Sequence, residues 1–157
     1  MKMVRTALIA VLATLTALIG TATVTSQASA LPANFKVTTK NPTVTDLGNI
    51  VKFLVETPAS DEAKAANVEG GANAVVVPRT VYNLGLFRAP RGGNKVTGPL
   101  VRKSPTRVQV NMTSWSTGRP TINMPIDFVY QGGNWKLAAS SMCQGVKTVG
   151  LPIYCNA

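Results

Sequence analysis

The chain has 157 residues, 16 Lys and Arg against 6 Asp and Glu, two cysteines and no histidine, for a formal net charge of +10. Without histidine neither Ser-His-Asp nor Cys-His catalysis is possible, and zinc sites with imidazole ligands are excluded. Glycine pairs occur only singly, as Gly70-Gly71, Gly92-Gly93 and Gly132-Gly133, which is not the fingerprint of a phosphate-cradling loop.

The chain opens with Lys2 and Arg5 ahead of an apolar run from Ala7 to about Val24, then Thr25-Ser26-Gln27 and Ala28-Ser29-Ala30. A basic start, an apolar middle and a small-residue cleavage site predict a secretory signal peptide over residues 1–30. The competing reading, an uncleaved membrane anchor, is opposed by Gly20 and the threonines inside the run, and a lipid anchor by the lack of a cysteine after the site. A mature chain from Leu31 to Ala157 is the size of one domain and keeps a net charge of +8 once Lys2 and Arg5 are gone. No membrane span is expected in it.

Residues 31–42, rich in Thr, Asn and Pro, read as an extended arm. Thr43 or Thr45 is suited to cap a helix in which Leu47, Ile50, Val51 and Leu54 recur at helical spacing, ended by Pro58. Ser60 caps a second helix expected from Asp61 to about Asn67, with Asp61 and Glu62 at its positive end. A third is expected from Pro78 to about Phe87, where Val81 and Leu84 continue the spacing begun at Val77. Arg88 to Gly93 reads as a basic loop. Lys95 to Lys103 reads as a weak first strand, interrupted at Gly98-Pro99.

The strongest pattern follows. Val108, Val110 and Met112 share one strand face; Ile122, Met124, Ile126, Phe128 and Tyr130 share another; Trp135, Leu137 and Ala139 a third. A two-residue Gly132-Gly133 turn sets Tyr130 against Trp135 and Phe128 against Leu137, so the apolar faces coincide. Between the first two of these strands even positions must face even ones, which demands an odd loop or a bulge near Ser116 to Arg119. Pro125 is expected to force a bulge or gap in its own strand. After Ser141 the tail is expected to form one helical turn to Lys147 and then fold back, with Cys143 and Cys155 joined in a disulfide, the simplest pairing in an exported chain. A reactive thiol or a metal site is the competing reading, with no histidine or third cysteine behind it.

The order is two or three helices, then a four-stranded antiparallel sheet. This is an α+β domain over residues 43–157, with helices on one face of a curved sheet like that of the NTF2-like or cystatin-like cone. Val68-Glu69-Gly70-Gly71 and the run from Asp127 to Asn134, leading through Trp135-Lys136-Leu137-Ala138-Ala139-Ser140-Ser141-Met142, resemble the low-molecular-weight secreted antigen family of mycobacterial culture filtrates and actinobacterial relatives. The likeness covers about Asp46 to Val149. It implies a secreted, non-catalytic NTF2-like domain of unsettled biochemical role, and supplies no functional residues to carry over. The cysteines, the basic charge and the extension from Gly150 to Ala157 depart from the family pattern.

Of the acidic residues, Asp127 is the one on the sheet, and parity turns it away from the apolar face, toward solvent near Lys136; an isomerase or lyase would need a carboxylate inside the cone. Glu69 reads as a loop or helix-end charge. Between Gly70 and Ile126 lie eight basic residues and no acidic one: Arg79, Arg88, Arg91, Lys95, Arg102, Lys103, Arg107 and Arg119. One sign of charge attracts polyanions without reading sequence, so an anionic cell-envelope polymer is a candidate partner beside an apolar small molecule; a merely solvated face is the competing reading. Trp115 shares the polar strand face, either as a partner surface or covered by a bulge or the tail. No cofactor and no specific nucleic acid is expected.

Overall fold

The structure is a computed structural model that describes residues 30–155; the expected signal peptide, apart from Ala30, lies outside the described residues. Helix α1 (Val44–Glu56) starts at a capping box in which Thr43 accepts from the Asp46 N–H while the Asp46 carboxylate accepts from the Thr43 N–H. Its stripe of Leu47, Ile50, Val51 and Leu54 is buried, and Phe53 with it. Helix α2 (Asp61–Ala65) is capped by Ser60 and is shorter than expected, and a 3-10 turn at Gly71–Asn73 follows. Helix α3 (Val76–Leu84) begins two residues before Pro78, which still sits in the first turn, where the missing N–H costs no helical bond; it ends at Gly85, φ 63°.

The sheet is β1 (Gly92–Ser104), β2 (Arg107–Ser116), β3 (Arg119–Gln131) and β4 (Asn134–Leu137), antiparallel and in sequence order. With four helices it makes the expected α+β domain. β3 and β4 pair in the expected register around Gly132 and Gly133, at φ 63° and 86°, with the Tyr130 and Trp135 rings edge-on and 5.4 Å apart. β2 and β3 also keep even against even, Met112 opposite Met124. The required bulge lies beside the turn: Ser114 pairs with Ile122 and Ser116 with Arg119, so Trp115 alone faces Pro120 and Thr121.

Three expectations are corrected. First, Pro125 causes no bulge: the ladder runs unbroken through Asn111 and Pro125. The Tyr130 N–H donates to Thr106 O on the β2 side and the Asp127 N–H to Ser141 on the other, so by alternation the Pro125 nitrogen points to the side where β4 has already ended. Second, β1 begins at Gly92, inside the expected loop. A Cβ at Gly92 would lie 2.1 Å from Trp115 O, so only glycine lets β1 approach there. The break at Gly98-Pro99 is real, with a register shift between Thr97 and Val101 and a cis bond before Pro99. Third, Ala139 is not in a strand but opens helix α4 (Ala139–Val149), three turns long instead of one.

Residues of α1, α3, α4 and the inner sheet face, among them Val77, Val108, Ile126, Phe128, Trp135 and Val146, form one buried cluster. The segment before α1 closes the outer edge of β4: Trp135 N donates to Val37 O, and its indole N–H to Thr39 O at 2.8 Å. No helix among the described residues is long and apolar enough to cross a membrane.

Candidate functional site

Where α1, α3 and α4 meet the inner sheet face, packing leaves an apolar cavity of about 90 Å³. Its walls are Val51, Leu54 and Val55 from α1, Val77, Pro78 and Val81 from α3, Val146 and Val149 from α4, and Met112, Ile122, Met124 and Ile126 from the sheet. Met142 completes a trio: all three methionines among the described residues line this one space. Their unbranched thioethers let a wall adapt to different occupants. Gly145 also lines it, and a Cβ built there would meet no atom within 4 Å.

Three polar side chains reach the wall, Asn94, Ser114 and Ser141, and each is tied inside the protein. Ser114 Oγ donates to Asn94 Oδ1 at 2.7 Å, Asn94 Nδ2 donates to Phe87 O at 2.8 Å and Glu56 Oε1 at 3.4 Å, and Ser141 Oγ accepts from the Asp127 N–H. Among the described residues no charged side chain lines the cavity.

Asp127 does lie on the outer sheet face, but it is not turned to solvent near Lys136. Its carboxylate reaches across β2, accepting from Gln109 Nε2 at 2.8 Å, Arg107 Nε at 3.0 Å and Lys103 Nζ at 3.3 Å, and its side chain is only 16% exposed. A carboxylate with three donors, on the face away from the cavity, is placed as a structural tie. Glu69 is a helix-end charge, though of a distant helix: Ala138, the residue before α4, has no side chain to cap with, and Glu69 Oε2 accepts the Ala139 N–H at 2.9 Å.

The eight basic residues are spread over several faces. Arg79 on α3 pairs with Asp61, both about half exposed, which contributes little. Arg88 lies 4.4 Å from the centre of the Tyr82 ring, and Arg91 donates to Leu84 O. Arg102 turns toward Lys40 O and Asn41, and Arg119 donates to Val149 O at 2.8 Å. Lys95 and Arg107 share the outer sheet face by register, and Lys103, at the irregularity between Arg102 and Ser104, joins Arg107 at Asp127. Trp115 is 43% exposed and spreads its indole over Gly93, its cross-strand partner; a Cβ at Gly93 would lie 2.5 Å from the ring.

The expected disulfide is present, joining Cys143 in α4 to Cys155 in the tail across 12 residues. It holds the tail against α4, and Leu151 of that tail is part of the cavity wall.

Lys64 was not singled out by pattern, yet it is 1% exposed. Its Nζ donates to Leu54 O at 2.7 Å and lies 4.0 Å from the centre of the Tyr82 ring. Leu54 is the residue whose helical partner four positions on would be Pro58, which has no N–H, and α1 has no basic residue in its own last turn. Lys64 therefore caps α1 from outside. Burial pushes its ammonium down to about 8, Asp61 opposing and Arg88 adding to the shift. The signal available in sequence was a proline four residues past an apolar helix position, followed by a lysine inside the next short helix.

Residues 40–153 match the family described as low molecular weight antigen MTB12, C-terminal domain, and the chain belongs to that family. No curated protein matches it.

Proposed function

We propose that this antigen-family chain is a secreted, non-catalytic domain that holds a small apolar ligand in the space between its helices and the inner face of its sheet, an NTF2-like use of the fold. The observation that carries the reading is the cavity wall: aliphatic and methionine side chains with Phe87, and three polar side chains that each have a hydrogen-bond partner inside the protein. A wall of this kind favours apolar ligands by burial and gives no acid or base to act on them. A disulfide is consistent with an exported protein. An isomerase or lyase would need a carboxylate in that wall, and the sheet carboxylate, Asp127, is instead committed to three donors on the other face.

The basic residues support an envelope polyanion less well. They occupy several faces, and Arg79, Lys103 and Arg107 are matched by carboxylates. The test is stabilisation by a short alkane. Pentane, which would bind the folded chain alone, should raise the unfolding midpoint in proportion to occupancy. A Gly145→Leu variant, which places a side chain beside the cavity, should lose that response while remaining folded. Equal stabilisation of both proteins would reject the cavity as the site.

A further inference from the structure

The polar end of the cavity has a definite hydrogen-bonding sense. Asn94 Nδ2 donates to the Phe87 carbonyl, which can only accept, so the amide orientation is settled and Oδ1 is the atom facing Ser114. Oδ1 can only accept, so the Ser114 hydroxyl spends its one proton on it. Both Asn94 N–H directions are taken as well, one by Phe87 O and the other by Glu56 Oε1. What remains to a ligand at Ser114, itself 2% exposed, is lone pairs: this end accepts and does not donate.

Glu56 adds a sign to that sense. Its Oε1 accepts from Asn94 Nδ2 at 3.4 Å, so a carboxylate adjoins one member of the accepting pair. An incoming carboxylate would find no donor on Ser114 or Asn94, a like charge close by and apolar walls around it, each of which disfavours the ionised form at this end. An ammonium would meet the right sign but lose its hydration to walls that return one hydrogen bond. A hydroxyl brings the single donor that the lone pairs ask for and no charge.

We infer that the cavity selects a neutral aliphatic ligand ending in a hydroxyl, with Ser114 accepting from that hydroxyl and Glu56 excluding the carboxylate of the same chain length. The inference rests on the cavity being a ligand site, as proposed above. Chain length is accommodated by Met112, Met124 and Met142, whose side chains can yield where a branched wall would not.

The methionines also supply the readout. The purified protein, labelled with ¹³C at the methionine methyls, is titrated with 1-hexanol, hexanoate and hexylammonium at pH 7.5, following the signals of Met112, Met124 and Met142. Hexanol should shift all three saturably, with hexanoate and hexylammonium weaker by at least about tenfold. A Glu56→Gln variant should narrow the gap between hexanol and hexanoate, and Ser114→Ala should weaken hexanol several-fold while the spectrum remains that of a folded chain.

Hexanoate or hexylammonium binding as tightly as hexanol would overturn the selectivity and leave the cavity standing as an apolar site. An unchanged gap in Glu56→Gln would remove Glu56 as its cause. If none of the three compounds moves the methionine signals, while pentane also fails to stabilise the chain, the ligand site itself is wrong and the selectivity falls with it.

Discussion

Replacing Lys64 with methionine separates the charge of this buried side chain from its volume. The ammonium is held down to about 8 in the folded chain against 10.5 in an unfolded one, chiefly by burial. In the interval between those values the unfolded state binds more protons, so wild-type stability rises with pH there. The contribution is fully present above 10.5 and is lost as pH falls through about 8. Between pH 7 and pH 10 the gain works out at about 2.5 kcal/mol for the shift to about 8. The methionine variant keeps the aliphatic stem, drops the titration and loses the donor to Leu54 O. Urea unfolding of both proteins at half-unit pH steps gives the difference free of the other lysines and tyrosines, which titrate in both. Wild type should gain on the variant by about 2.5 kcal/mol from pH 7 to pH 10. A flat difference would mean that Lys64 titrates as a solvated amine, and the account of α1 capped through a buried ammonium would fail.

Four further outcomes follow from the geometry. Gly145→Ala should stabilise the chain by about 0.5–1 kcal/mol in denaturant melts, since a Cβ there meets nothing and the helix gains propensity; destabilisation would show that the space beside α4 is filled. Reducing Cys143–Cys155, or replacing both with serine, should cost about 3 kcal/mol by the chain-entropy relation for so short a loop, measured as a fall in urea midpoint. Glu69→Ala should cost about 1 kcal/mol by removing the acceptor for the Ala139 N–H, with faster amide exchange in the first turn of α4 as its local sign. Retention on an anionic matrix should fall with salt as for any basic chain, but charge reversal at Arg102 should weaken it no more than reversal at Lys95 or Arg119; a dominant effect of Arg102, Lys103 and Arg107 together would restore the polyanion reading.

The sheet was legible because it rests on parity and turn chemistry, both local. Once Gly132-Gly133 fixes one pair, Tyr130 must face Trp135 and the rest of that ladder follows. The bulge opposite Trp115 was legible for the same reason, as one of the two ways, with an odd loop, to keep Met112 opposite Met124. Pro125 was misjudged because its cost depends on which neighbour its nitrogen faces, and that is set by where β4 stops. The length of α4 was hidden because its N-terminal cap is supplied by Glu69, 70 residues away in sequence. Lys64 belongs to no sequence pattern, and its role as a cap exists only once α1 and α2 are brought together.

The cavity itself could not be read in sequence at all. It is a small difference between the large volumes of three helices and a sheet, and the three methionines, on two strands and a helix, share one space only in the fold. The basic residues raised the opposite difficulty. Eight charges of one sign with no acidic residue between them suggested a single face, and the fold distributes them over α3, the loop after it, β1 and the starts of β2 and β3.

Diffraction from crystals of the protein pressurised with xenon would show whether the space between the helices and the sheet is open, because xenon enters apolar space of this size without needing a hydrogen bond. A xenon peak is expected in contact with Met112, Met124 and Met142, between α3, α4 and the sheet. Crystals that take up xenon elsewhere, with those three side chains packed against one another, would contradict that expectation.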